Sequence, residues 1–241
     1  MKKSIRLFTT VMVCMAMALC VSCKKDNAEP SGGNTGGGNT GGGGGGTIGS
    51  HEYVDLGLPS GLLWATCNVG ADSPDDYGDY FAWGETETKS DYDWDTYKWY
   101  NGSENTLTKY CTKSSYGTVD NRTVLEMSDD AARANWGGDW RMPTKEEWQE
   151  LEDRCTWTWT TQGGKSGYRV TGTNGRSLFL PAAGGRFGSS LYNAGSYGLY
   201  WSSSLLTDYP HYAYFMFFFS GNVNPQVNLD RYVGFTVRPV R

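Results

Sequence analysis

The 241-residue chain is acidic, with 21 Lys and Arg residues against 26 Asp and Glu residues and a formal net charge of −5 at pH 7. This balance argues against nucleic acid as a partner, because binding to phosphates depends on a surplus of Lys and Arg. Aromatic residues make up 15% of the chain, and both Tyr (16) and Trp (10) outnumber Phe (9). Many of the aromatic side chains therefore carry a polar atom.

The N-terminus has the pattern of an export signal. Lys2, Lys3 and Arg6 precede an apolar run over 7–21, which is too short to span a bilayer comfortably. Small residues before Cys23 resemble a lipobox, in which the cysteine receives diacylglycerol and becomes the mature N-terminus. We therefore expect residues 1–22 to be a lipoprotein signal peptide and Cys23 to be lipidated. The alternative is a plain signal peptide or an uncleaved anchor.

A glycine-rich segment follows, and we assign residues 23–50 to a disordered tether. Residues 31–49 are nearly all Gly, Asn and Thr, which bury little and lose much backbone entropy on ordering. A flexible coil of this length has its ends roughly 25 Å apart. The remaining residues, 51–241, are numerous enough for one well-packed core. An exported, acylated chain of this kind is expected at the outer membrane, facing the cell exterior.

The domain begins with strand signals. Strands are predicted over 52–56 and 62–67, on either side of a turn sequence that contains Pro and Gly. A short helix is predicted over 73–81, because Ser is a favoured N-cap and Pro suits the first helical turn. The polar, aromatic and aperiodic stretch 84–123 is interpreted as long loops.

Two further helices are predicted in the middle of the chain, and strands dominate after them. The first helix starts within 128–131 and ends at Gly137. The second starts after Thr144, which forms a capping box with Glu147, and runs to Cys155. Later strands are predicted over 157–160, 168–172, 177–181, 200–204, 212–219 and 233–237. Helices early and strands late indicate the α+β class.

The chain offers few residues for catalysis or metal binding. Its two histidines are His51 and His211, which cannot form a three-histidine iron site, and no Cys/His spacing is typical of zinc. We expect no enzyme activity, no catalytic metal and no cofactor, although Asp residues over 72–79 leave Ca²⁺ possible. Outside the signal peptide and Cys23, the cysteines are Cys67, Cys111 and Cys155. They are either buried free thiols, or one bridge and one free thiol.

The most informative region for binding lies near the C-terminus. Polar and apolar residues alternate over 222–233, which predicts a strand with one polar face. Over 212–219 alternate residues from Ala213 to Phe219 are expected to point inward, leaving Tyr212, Tyr214, Met216 and Phe218 on an outer face. Such a Tyr- and Asn-rich face resembles antibody paratopes. The candidate ligand-binding residues are Tyr192, Tyr197, Asp208, Tyr209, His211, Tyr212, Tyr214, Asn222, Asn224, Asn228, Asp230 and Tyr232.

Several phrases of the sequence resemble a known family. They are YVDLGLPSGLLWA at 53–65, WRMPT at 140–144, FLPAAG at 179–184, YWSSS at 200–204 and GFTVRPV at 234–240. Together they look like the Fibrobacter succinogenes major paralogous domain family of surface lipoproteins. The resemblance implies a C-type-lectin-like fold of the formylglycine-generating-enzyme type, with two short-to-medium helices, twisted antiparallel sheets and long loops.

The same phrases are also similar to variable proteins that are diversified by retroelements. That similarity implies that codons of the Asn type are replaced by codons for other residues. Most candidate ligand-binding residues are of a type that such replacement produces. The expected function is capture of an extracellular protein or glycan ligand. The alternatives are a degenerate or unrecognised enzyme of the formylglycine-generating type and an adhesin or fibre tip subunit.

Replacing the predicted lipid-bearing cysteine tests the anchoring. Cys23→Ser removes the thiol that would carry diacylglycerol, so cells labelled with a fatty-acid analogue are expected to show no labelled protein, and the chain should leave the membrane fraction. Cys67→Ser is the matched control and should label as the wild type does. Labelling that persists in Cys23→Ser would contradict the prediction.

Overall fold

The computed structural model describes residues 45–102 and 105–241. The predicted signal peptide, Cys23 and most of the predicted tether lie outside these residues. The described part combines helices with antiparallel sheets, in agreement with the predicted α+β class. Among the described residues, no helix is both long and apolar enough to cross a bilayer.

Two α-helices lie in the middle of the described chain, close to where they were predicted. Helix α1 covers Ala131–Trp136; Asp130 caps its N-terminus, and Gly137 ends it with a φ of 68°. Helix α2 covers Lys145–Arg154. The capping box is confirmed: the Thr144 hydroxyl accepts the Glu147 N–H at 3.2 Å, and the Glu147 carboxylate accepts the Thr144 N–H at 2.8 Å.

The strands of the described residues form four small antiparallel sheets. Their bounds are β1 Gly45–Ile48, β2 His51–Asp55, β3 Leu63–Ala65, β4 Thr156–Gln162, β5 Lys165–Thr171, β6 Ser177–Pro181, β7 Gly185–Phe187, β8 Ser190–Tyr192, β9 Gly198–Leu205, β10 Tyr212–Phe219 and β11 Asn222–Asp230. The sheet orders are β1-β2-β3, β4-β5-β6, β7-β8 and β11-β10-β9. Two short 3₁₀ turns, Trp94–Thr96 and Met127–Asp129, interrupt the long loops.

Strand β1 differs from the sequence expectation, since it lies within the segment assigned to the tether. Its residues pair antiparallel with β2 in a continuous register, from Gly45 opposite Val54 to Ile48 opposite His51. Pairing to a neighbouring strand satisfies main-chain groups without needing large side chains. Composition alone therefore failed to identify this strand.

The C-terminal segment packs against strand β3. The Leu63 N–H donates to the Arg241 carbonyl at 2.9 Å, and the Ala65 N–H donates to the Pro239 carbonyl at 2.9 Å. The last residues thus lie beside β3. The C-terminal segment is therefore held by β3 and is not a loose terminus of the domain.

The core lies between α2 and the β9–β10–β11 sheet. Trp148 of α2 is fully buried, and its ring lies 4.8 Å from that of Trp64 and 5.8 Å from that of Tyr200. Tyr200 stacks in turn on Phe218 at 5.7 Å. Each such aromatic side chain buries roughly 150–250 Å². Burial of these rings supplies much of the apolar area of the core.

Two predicted elements are wrong. Residues 73–81 form turns rather than a helix, because the Ser73 hydroxyl bonds the Asp75 carboxylate (3.1 Å) instead of capping a helix. Residues 233–237 form no ladder with a single partner. Gly234 bridges Arg186 while its neighbour Phe235 bridges a different segment, so the segment is shared among several neighbours.

The three cysteines of the described residues are free thiols; Cys111 is buried, while Cys67 and Cys155 are half-buried. Burial raises the pKa of the Cys155 thiol to about 11, and the nearby Glu150 carboxylate adds to the effect. The thiol therefore stays protonated at neutral pH, when it is a poor nucleophile.

Arg238 connects the C-terminal segment to the rest of the fold. Its guanidinium is fully buried and donates to the Asn68 side-chain oxygen at 2.8 Å and to the carbonyls of Ala65, Thr66 and Phe179 at 3.1, 2.7 and 3.0 Å. One side chain thus joins the C-terminal segment to β3 and β6.

Removing this guanidinium is expected to be costly. Arg238→Met keeps an unbranched side chain but removes the donors that four acceptors share, most of them buried, so the free energy of unfolding should fall by about 3–5 kcal/mol. The control, Arg241→Met, removes a surface ion pair to Asp139 at 3.0 Å and should cost less than about 1 kcal/mol. Urea unfolding measures both, and equal losses would contradict the assigned role of Arg238.

Candidate functional site

The structure separates the predicted binding residues into three places. Tyr192 lies on the β7–β8 hairpin, where its ring contacts Phe187 at 5.9 Å. Asn222 and Asn224 lie near the β10–β11 turn, and Tyr197 packs near that end against Phe217 and Phe219. The remaining residues cluster where β10 begins and β11 ends; they are Asp208, Tyr209, His211, Tyr212, Tyr214, Asn228, Asp230 and Tyr232.

Aromatic rings dominate this cluster. His211 stacks on Tyr116 at 5.0 Å with an interplanar angle of 23°, and it contacts the ring of Tyr212 at 3.9 Å. Tyr209, which is 53% exposed, lies 6.5 Å from Tyr212. Tyr232 lies 5.0 Å from Trp94. We call the rings of Trp94, Tyr116, Tyr209, His211, Tyr212 and Tyr232 the aromatic surface.

Tyr116 and Trp94 are members that the sequence reasoning missed. Both come from the stretch interpreted as long loops, where no periodicity marks which rings face outward. The only signal was the density of aromatic residues there. Beside Tyr116 and His211 lies a groove of about 440 Å³, also lined by Asn105 and Ser115.

Arg231 holds the loops that carry the aromatic surface. Its guanidinium is fully buried and donates to the carbonyls of Tyr110 (2.9 Å), Pro210 (2.7 Å) and Lys109 (3.1 Å) and to the Tyr97 hydroxyl (2.9 Å). The loop before Tyr116 and the loop that carries Tyr209 are therefore fixed to one side chain. Such fixing lowers the entropy lost when a surface meets a ligand.

Charged groups frame the aromatic surface. Lys113 pairs with Asp208 at 3.0 Å and lies 5.8 Å from the Tyr209 ring centre. Burial raises the pKa of Tyr232, and the nearby Asp230 and Asp93 carboxylates raise it further. The Tyr232 hydroxyl therefore remains a neutral hydrogen-bonding group at physiological pH.

Beside this surface, Tyr214 and Asn228 face each other across the β10–β11 ladder. The Lys145 ammonium, at the start of α2, lies 4.4 Å from the Tyr214 ring centre. Tyr214 is thus half-covered by the protein itself. It is less available to a ligand than Tyr209, which is the most exposed ring of the cluster.

The predicted outer face of β10 is partly wrong. Tyr212 and Tyr214 are half-exposed as expected, but Met216 and Phe218 are completely buried. The reason is that α2 and its core partners cover this end of the sheet. On β11 the outward alternation holds for Asn222, Asn224 and Gln226, whereas Asp230 is buried.

Among the described residues, no three His, Cys, Asp or Glu side chains converge as a metal ion would require. Comparison of the chain with protein-family models, curated proteins and solved structures finds no match in any of the three.

The loop before Tyr116 is held by hydrogen bonds to a carboxylate, so its stability depends on pH. The Asp120 carboxylate accepts the N–H groups of Tyr110 and Cys111, both at 2.9 Å. Burial would raise the pKa of Asp120, but these N–H donors and Arg122 outweigh it, so the pKa lies below its usual value. The charged form is thus favoured in the folded protein.

Because its folded-state pKa is depressed, Asp120 stabilises the fold above the unfolded pKa of about 4, and this stability is lost as pH falls through the lower folded value. We expect the free energy of unfolding of Asp120→Asn to fall less between pH 4 and pH 2 than that of the wild type. Denaturant unfolding across this range measures the free energy of unfolding. The control is Asp208→Asn, which removes an exposed carboxylate. An identical pH dependence in Asp120→Asn and wild type would refute the role.

Proposed function

We propose that the chain is a surface-anchored lipoprotein whose C-type-lectin-like domain captures an extracellular protein or glycan ligand through the aromatic surface. The observation that carries the proposal is the grouping of Tyr209, His211, Tyr212 and Tyr116 beside a groove that Tyr116 and His211 line, next to loops fixed by Arg231. Rigid rings with polar tips suit both protein and sugar recognition.

The architecture supports a lectin-like domain. Two short helices pack on small antiparallel sheets, and long loops gather at one end of the β10–β11 hairpin. Short helices, antiparallel sheets and long loops are the features that the family resemblance implies. In such a domain the loops supply the binding surface while the sheets hold it in place.

Exposure of the aromatic surface supports binding rather than packing. Tyr209 is 53% exposed, and Tyr116, His211 and Tyr212 are half-exposed. A large aromatic ring gains free energy when it is covered, so a group of such rings marks a place for a partner. Retroelement diversification of this surface is part of the same proposal, since exposed side chains on fixed loops tolerate exchange.

The proposal is tested with a glycan array and a surface-protein array, probed with residues 24–241. Once a ligand is found, Tyr209→Ala and Tyr212→Ala are each expected to weaken binding at least about tenfold, because truncating a central aromatic contact typically costs more than 1 kcal/mol. The melting temperature of Tyr209→Ala should change little, since that ring is largely exposed.

Asn222→Ala is the matched control for this experiment. It removes an exposed member of the originally predicted set at the opposite end of the β10–β11 hairpin, roughly 23 Å along the strand from Tyr212. Binding should be unchanged in this variant. If Asn222→Ala weakens binding and Tyr209→Ala does not, the ligand site lies at the other end of the hairpin and the aromatic surface is not the site.

A further inference from the structure

The groove beside Tyr116 and His211 has a fixed shape. In its first loop the Leu107 N–H donates to the Tyr116 carbonyl, and the Thr118 N–H donates to the Leu107 carbonyl, both at 2.9 Å. Gly117 lies between these bonds, and a Cβ atom there would lie 2.1 Å from the Leu107 carbonyl oxygen, so a larger residue would displace the backbone. The groove therefore exists before a ligand binds, which lowers the entropy lost on binding.

A second loop supplies His211 to the same groove. The two loops are bonded directly, because the Thr112 hydroxyl donates to the Thr207 carbonyl at 2.5 Å. The buried Arg231 guanidinium also donates to carbonyls of both loops. The residues that line the groove are thus held in place by bonds that a ligand does not have to form.

The polar groups that line the groove are uncharged and remain available to a ligand. They are the Asn105 amide and the hydroxyls of Ser115 and Tyr116, and none of them makes a hydrogen bond within the described residues. Each of these groups can both donate and accept a hydrogen bond. Sugar hydroxyls have the same two capacities, so a sugar can satisfy all three groups at once.

The charged groups on the two loops are paired with each other. The Lys113 ammonium lies 3.0 Å from the Asp208 carboxylate, and none of the four residues that line the groove is Asp, Glu, Lys or Arg. A charged ligand would therefore lose hydration on entering the groove without gaining an ion pair, which costs free energy. The groove favours a neutral ligand.

An exposed ring beside the groove supplies an apolar contact. Tyr209 is 53% exposed, and its ring centre lies 6.2 Å from that of His211. A pyranose ring presents C–H groups on its face and hydroxyls at its edge, which suits an aromatic ring next to polar groups. No aliphatic side chain lines the groove, so it lacks the apolar pocket that typically receives the central residue of a protein partner.

We propose that this groove holds one neutral pyranose ring of a glycan. Its hydroxyls bond Asn105, Ser115 and Tyr116, while its C–H face packs against the exposed Tyr209 ring. The groove volume of about 440 Å³ lies within the range of roughly 300–1,000 Å³ that small-ligand sites occupy. The proposal rests on the proposed function, because it names the class of ligand that the aromatic surface binds.

Matched sugars test the class of ligand. Residues 24–241, which include every described residue, are titrated with neutral methyl hexopyranosides and with cellobiose and lactose, and saturation-transfer NMR reports binding. At least one neutral sugar should bind with a Kd of about 1 mM or below. Its uronide, in which a carboxylate replaces the primary alcohol, should bind about tenfold more weakly. The Kd of the neutral sugar should not depend on salt, since no ion pair forms.

Single substitutions test the groove. Ser115→Ala and Tyr116→Phe each remove one hydroxyl and keep the rest of the side chain, so each should weaken sugar binding about threefold to tenfold. Ser114→Ala is the matched control, because Ser114 is an exposed neighbour that does not line the groove. Its affinity should equal that of the wild type. The melting temperatures of all three variants should match the wild type, because the removed hydroxyls bond nothing in the described residues.

Four outcomes overturn the proposal. If no neutral sugar binds, but a protein ligand does and Tyr209→Ala weakens it, the proposed function stands and only the sugar is refuted. If neither sugar nor protein binds, both proposals fail. If a sugar binds and only Tyr209→Ala weakens it, the ligand lies on the outer ring and not in the groove. If the uronide binds more tightly and salt weakens it, the groove is an anion site.

Discussion

Arg231 and Arg238 are both completely buried, and no carboxylate of the described residues pairs with either guanidinium. Their partners are main-chain carbonyls and neutral side chains, which hold a charge without bringing a second charge into the interior. Burying a cation without a paired anion costs free energy. The fold must therefore keep these acceptors in place, so that each guanidinium remains hydrogen-bonded. Five planar donors on one side chain therefore fix several loops at once. Long irregular segments gain the order that sheets and helices would otherwise supply.

The candidate site depends on the same constraint. Arg231 lies at the point where β11 ends, and it ties the loop before Tyr116 to the loop that carries Tyr209. Helix α2 covers one end of the β10 outer face and leaves the other end open. The exposed rings of the candidate site are consequently confined to one end of the hairpin. The covered end is core, although its sequence alternates in the same way.

Local signals in the sequence predicted some elements well. The capping box at Thr144 and the runs at 177–181 and 212–219 were placed correctly, because each depends on neighbouring residues. The cover over Met216 could not be predicted, since it comes from a helix some seventy residues earlier in the chain. Tyr116 was missed for the same reason: its place beside His211 follows from the long-range bonds of Arg231, which leave no periodic trace in the sequence.

Strand β1 determines how the domain responds to mechanical load. A pull applied to the chain before Gly45 acts first on the pair of Gly45 with Val54, at the outer end of the β1–β2 hairpin. The hydrogen bonds between β1 and β2 then break one after another, because the load falls on each residue pair in turn. Opening β1 and its turn releases roughly 20 Å of chain. The β2–β3 pairing and the closure by Arg241 stay intact meanwhile, so the hairpin yields before the core does.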